Sequence, residues 1–219
     1  MDNNFELVDE FDRSFRQWVK TACQEWKLNE PSEEYFSHVK RRLPEGLRTL
    51  LGYGLKHGLI IPTGRVFTLK DMPPSKGPYN WFSQGRTTKP SPNWEYFVQI
   101  AEFIRFFRIS STTHGLSVKF EDSLMDVGVY RNNKLFVYVE VKEKGTQLQK
   151  LVQEMKKLQY SIDLTIEDRG NDPLRKAKYL VTQRPEYLVL SAIGTRFEYK
   201  VVYPDDTSFE IVSDMVPLT

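Results

Sequence analysis

The chain has 219 residues, 40% hydrophobic and 27% charged, enough to bury a sizeable core as one large domain or as a main domain with a smaller attachment. A single cysteine, Cys23, excludes an intrachain disulfide and a cysteine-based zinc cluster, and fits a reducing, cytoplasmic compartment. The net charge of +2 lacks the strong basic excess of many nucleic-acid binders, no apolar run has the length of a membrane span, and the acidic, aromatic N-terminus lacks the pattern of a signal peptide.

Phe11, Phe15, Trp18, Val19, Ala22 and Trp26 recur at helical spacing, with acids early and lysine late, which predicts an amphipathic helix from Phe5 to Leu28. Asn29-Glu30-Pro31 ends it, and Ser32 with Glu33 and Glu34 starts a second helix that closes on the basic turn Lys40-Arg41-Arg42. Pro44 opens a third helix, for which Gly58 is a suitable C-cap. Leu59–Ile61 and Arg65–Leu69 then read as two short strands around Pro62-Thr63-Gly64. Residues 1–71 thus form a helical N-terminal region that resembles a winged helix in outline; a structural arm without base-reading residues is the equal alternative.

Residues 72–92 are rich in Pro, Gly, Ser and Thr and read as a linker or long loop with Tyr79, Trp81 and Phe82 in its middle. From Pro62 to Trp94 five basic residues, Arg65, Lys70, Lys76, Arg86 and Lys89, stand against one acid, Asp71, a local +4. Arg65, Lys76, Arg86 and Lys89 are therefore candidate nucleic-acid contacts, with the aromatics either stacking on unpaired bases or tucked against the core, the second being slightly favoured.

The third region, 93–219, begins with a helix from Asn93 to Arg108 that carries Glu95 in its first turn and Glu102 on nearly the same face. Ser110–Gly115 is a polar turn holding His114, and Leu116–Phe120 a strand. The segment Ser123–Lys150 carries the chemistry. Val127 and Val129 alternate with Asp126, Gly128 and Tyr130 as in a strand, and Arg131-Asn132-Asn133-Lys134 supplies a turn. On the return strand alternation puts Leu135, Val137, Val139 and Val141 on one face and Phe136, Tyr138, Glu140 and Lys142 on the other. The hairpin brings Asp126 beside Glu140. Two neighbouring carboxylates repel, and burying them costs several kcal/mol unless a cation or a shared proton neutralises them. A divalent ion with hard oxygen ligands, Mg2+ or Mn2+ in its place, meets that need, and Lys142 on the same face is placed to orient water or to stabilise developing negative charge. The competing reading of the same residues is a buried carboxylate–lysine ion pair.

After Lys142 a helix is predicted from Gly145 and Thr146, with Leu148, Leu151, Val152, Met155 and Leu158 on one stripe and Lys144, Lys150, Lys156 and Lys157 on the rest, solvated by default or touching phosphates. Asp172-Pro173 begins a helix to about Arg184, Tyr187–Ala192 is a strongly apolar strand, and Phe197–Tyr203 with Phe209–Val212 forms a final hairpin.

Asp126 followed by Glu140-Val141-Lys142 resembles the motif of the PD-(D/E)xK nuclease superfamily, with Met125 where that family has its proline. The likeness covers roughly residues 93–193 and implies an α/β fold: a restriction-endonuclease-like core, its mixed central sheet flanked by helices. It further implies metal-dependent hydrolysis of phosphodiesters, with DNA the expected substrate and endonucleolytic cutting the expected mode. By the same resemblance Asp126 and Glu140 would hold Mg2+ or Mn2+, Lys142 would help activate water, and Glu95 (Glu102 as runner-up) would add a carboxylate from the first core helix. Gln149 in the first turn of the next helix, and Lys144, would approach nucleic acid. Beside nucleic acid, a second copy of the chain or a partner subunit is the other expected partner, and no membrane. A non-catalytic nucleic-acid-binding or assembly subunit that keeps the fold is the alternative function.

Overall fold

A computed structural model describes residues 3–72, 76–84, 88–170 and 172–213. The chain is α/β, with six helices and eleven strands among those residues, and it forms two compact units, one ending at Ile104 and the other beginning at Arg105.

The first unit contains α1 (Asn4–Trp26), α2 (Glu33–Arg42) and α3 (Glu45–Lys56), each within a few residues of its predicted span. The apolar stripe of α1 is buried from Leu7 to Cys23, and α3 approaches it so closely that a Cβ on Gly52 would lie 1.8 Å from the Leu7 carbonyl oxygen. β1 (Ile60–Thr63), β2 (Val66–Leu69) and β3 (Tyr79–Asn80) make a small antiparallel sheet, and β4 (Phe82–Ser83) pairs with β5 (Ser91–Pro92). The stretch after Met72 therefore contributes strands and core. Trp81 is fully buried, stacked 4.3 Å from Trp18 and tilted against Phe67 at 4.1 Å, and Phe82 is buried against Phe15. Of the two readings of these aromatics, packing is the one realised. The division between the units falls within α4 (Trp94–Ser110), because Phe97 near its start packs against Phe11, Phe15 and Trp81 of the first unit.

The second unit is built on a mixed sheet of six strands in the order β11-β10-β9-β8-β7-β6. Its strands are β6 (Leu116–Asp122), β7 (Met125–Arg131), β8 (Lys134–Val141), β9 (Tyr187–Ala192), β10 (Thr195–Val202) and β11 (Glu210–Val212). All neighbours are antiparallel except β8 and β9, whose parallel pairing needs a crossover, supplied by α5 (Gly145–Lys157) and α6 (Asp172–Gln183). Seven of the eight residues of β8 are buried, as expected of a central strand covered on both faces.

The β7–β8 turn is tighter than the sequence suggests. Arg131 and Lys134 pair across it, leaving Asn132 and Asn133 as a two-residue loop with φ of 49° and 65°, the left-handed pair that a type I′ hairpin requires and asparagine tolerates. A register shift at Val129/Tyr130 then corrects the expected faces of β8. Tyr130 pairs with Leu135 while Val129 pairs with Val137, so one extra residue is accommodated and the alternation slips. Leu135 joins the core cluster that contains Tyr138, whereas Phe136 contacts Tyr187 and lies beneath the Arg131 guanidinium, 3.5 Å from its ring centre. Past the bulge the alternation is regular, and Tyr138 and Glu140 share the face covered by α5 and α6.

Candidate active site

The site lies where β8 ends and β7 begins. The register that pairs Val127 with Val139 sets Asp126 opposite Glu140 one step further, and Asp126 Oδ2 accepts the Val141 N–H at 2.5 Å. Both carboxylates are thus held by the sheet. Lys142 keeps its own N–H on the carbonyl of Ser191 in β9 at 3.0 Å, and its ammonium reaches Glu140 Oε1 at 2.7 Å.

A second lysine, which the sequence reading does not single out, completes the cluster. Lys176 of α6 places Nζ 2.6 Å from Glu140 Oε2 and 3.5 Å from the Tyr138 hydroxyl, hydrogen-bonding both, and forms a longer ion pair with Asp172 Oδ1 at 3.5 Å. Its side chain is 6% exposed and that of Glu140 2%. Glu140 also accepts from the Tyr138 hydroxyl at 3.2 Å. One signal for Lys176 was present: it lies one turn before Leu180 and beside Ala177, inside the apolar stripe of an amphipathic helix, where lysine is out of place unless paired.

The electrostatics follow from this geometry. Burial, and next the charge of Glu140, push the Asp126 carboxyl up to about 7, against the Val141 N–H and the two lysines, which pull it down. Burial followed by Glu140 and Asp126 raises the Tyr138 phenol well above its ordinary value, so it is a proton donor to Glu140. Burial raises the Asp172 carboxyl, but Lys176, the Arg175 hydrogen bond and Lys142 together hold it below its ordinary value.

The donor set bears on metal binding. Among the described residues no three His, Cys, Asp or Glu side chains gather as a closed metal cage. Two carboxylates on adjacent strands nevertheless match the way Mg2+ is commonly held, by one or two carboxylates with water and phosphate oxygens completing the octahedron. Asp126 and Glu140 therefore fit Mg2+ or Mn2+.

The remaining predicted residues are placed as follows. Glu95 is exposed in the first turn of α4 and Glu102 is 1% exposed further along the same helix. Gln149 is exposed but, as the fifth residue of α5, lies in its second turn and not in the first as expected, and Lys144 is the exposed N-cap, with Gln147 accepting from the Lys144 N–H at 2.9 Å. In the first unit the Arg65 guanidinium is tied to Glu25 at 2.5 Å and to Asn80, and lies over Trp26. Lys76 is half-buried, and exposed Lys89 lines a cleft with Lys27, Ser32 and Thr88. Arg86 falls outside the described residues.

No family model matches this chain, and no curated protein or solved structure matches it either. No helix among the described residues is long and apolar enough to cross a membrane.

Proposed function

We propose that the second unit is a PD-(D/E)xK-type nuclease that hydrolyses nucleic-acid phosphodiesters with Mg2+ or Mn2+, DNA endonuclease activity being the expected form. The observation that carries this reading is Asp126 beside Glu140 at one end of two central strands, with the Lys142 ammonium 2.7 Å from Glu140. The order α4, β6, β7, β8, α5, α6, β9, with β8 and β9 parallel, supports a restriction-endonuclease-like core.

Asp126 and Glu140 would hold the metal, fixed by the Val141 N–H and by Tyr138 respectively. When bound, the ion lowers the pKa of water and offsets charge on a phosphate. Lys142, 27% exposed, is the partner of Glu140 more open to substrate. Its ammonium would orient the attacking water and stabilise the added negative charge as the new P–O bond forms and the leaving oxygen departs. Lys144, the exposed N-cap of α5, and Gln149, exposed in its second turn, would contact the nucleic-acid backbone.

One observation favours a second reading. Both oxygens of Glu140 are engaged by ammonium groups, at 2.7 Å and 2.6 Å, as in a structural ion-pair network, and a binding or assembly subunit that keeps the fold without cleavage would retain it. Digestion of linear, circular, branched and single-stranded substrates with Mg2+ or Mn2+ separates the two. Cleavage by the wild type, lost in folded Asp126→Ala, Glu140→Ala and Lys142→Ala, supports the nuclease. Wild-type cleavage by Asp126→Ala or Glu140→Ala sinks the proposed site, and binding without cleavage across the panel supports the subunit.

A further inference from the structure

Lys176 offers Glu140 a positive charge from a buried position, neutralising Oε2 while Lys142 holds Oε1. A metal and an ammonium cannot both neutralise Oε2 at contact distance, since like charges a few ångströms apart in a partly desolvated site repel strongly. The ammonium needs somewhere to go. Asp172, four residues earlier on the same helix, already lies 3.5 Å from Nζ, and its carboxylate is 38% exposed and held in the charged form by its basic neighbours. One turn of helix sets the two side chains on the same face, so a rotation about the outer lysine torsions transfers Nζ from Glu140 to Asp172 without moving the backbone. The flexible stem of lysine suits such a transfer, and Tyr138, which hydrogen-bonds both Glu140 and Lys176, keeps a partner in either arrangement.

The geometry points to Lys176 as a positioning residue, a resident counter-cation that neutralises Glu140 in the metal-free protein and is handed to Asp172 when a divalent ion binds. This rests on the metal reading of Asp126 and Glu140. It gives the site a device for keeping a buried carboxylate in a folded, metal-free chain: Glu140 carries the ammonium until the ion arrives.

The test is Mn2+ affinity, measured by the disappearance of free-ion paramagnetic resonance, on the whole chain at fixed pH, together with thermal melting without metal. Lys176→Met keeps the apolar stem and removes the charge. It is expected to bind Mn2+ about tenfold or more tightly than wild type, the direction set by removing a competing unit charge at contact distance at an effective dielectric of about 20, while its metal-free melting temperature falls. A purely structural lysine would lower the melting temperature and leave or weaken Mn2+ affinity, and that result in a folded variant overturns the inference. Asp172→Asn leaves Lys176 in place and covers the case in which Lys176→Met does not fold. It is expected to weaken Mn2+ binding severalfold; unchanged affinity overturns the exchange. In the Lys176→Met background Asp172→Asn should change affinity much less, because the coupling runs through the ammonium; equal effects in both backgrounds reduce Asp172 to long-range attraction and overturn the exchange. Absence of Mn2+ binding in every protein, including wild type, overturns the metal reading, whereas binding that is indifferent to Lys176 overturns only the exchange.

Discussion

Replacing Asp126 by Asn isolates the electrostatic cost at the heart of the site. The substitution keeps the shape of the side chain and an oxygen able to accept the Val141 N–H, but removes the titration. In the folded protein the carboxyl is raised from an ordinary 3.8 to about 7, burial being the largest cause and Glu140 the next. A carboxyl whose folded pKa lies above its unfolded one stabilises the fold only while protonated. Its contribution is therefore complete below about pH 4 and is lost as the pH rises through about 7. With about 1.4 kcal/mol per pH unit, the full loss is about 4 kcal/mol, and about 2–3 kcal/mol of it falls between pH 5 and pH 8. Urea unfolding of wild type and Asp126→Asn at a series of pH values reads this directly: the stability of the variant relative to wild type should grow by that amount across the interval. Saturating Mn2+ should reverse the trend at pH 8, stabilising wild type by mass action and leaving the variant nearly unchanged. Parallel pH profiles for the two proteins, or a wild type that gains stability over the variant as pH rises without metal, would refute the assignment of Asp126 as a buried, strained carboxyl.

Three further outcomes are expected. Gly52→Ala forces a Cβ to within 1.8 Å of the Leu7 carbonyl oxygen, a backbone atom that cannot swing aside, so α1 and α3 must separate. The loss should be about 3 kcal/mol or more, above the usual range of an overpacked core, and a melting curve like that of wild type would contradict the close approach. Trp81→Ala should destabilise by about 3–5 kcal/mol through the cavity left between Trp18, Phe67 and Phe97, whereas Tyr160→Ala, 73% exposed, should be within about 0.5 kcal/mol of wild type. Replacing Arg65, Lys76, Arg86 and Lys89 together by Gln should weaken nucleic-acid binding and flatten its salt dependence, while Mn2+ affinity is kept; because Arg65 is tied to Glu25 and Asn80, a triple variant retaining Arg65 should keep most of the effect with less loss of stability. Unchanged affinity and salt slope would make the first unit a protein-interaction arm.

Period and punctuation made much of this chain legible from its sequence. The helical stripes of α1, α3, α5 and α6, the apolar run of β9 and the alternation on either side of Asn132-Asn133 are local properties, and alternation alone puts Glu140 and Lys142 on one face, whereas Asp126 stands opposite Glu140 only through the bulge. What lay beyond local pattern was decided by packing. The bulge at Val129/Tyr130 moved Leu135 to the face of Tyr138, since register answers to both neighbouring strands at once and β8 is paired on each side. Trp81 and Phe82, in a stretch with the composition of a linker, became core because other aromatics of the first unit offered them a place to bury. Lys176 shows the limit most clearly. Its spacing marks it as a lysine on an apolar stripe, but that its charge meets Glu140, 36 residues away on another element, follows only from the crossover that lays α6 over the end of β8. Sequence determines which side chains can share a face of one element; which faces meet, and so which charges must neutralise one another away from water, is set by the tertiary fold.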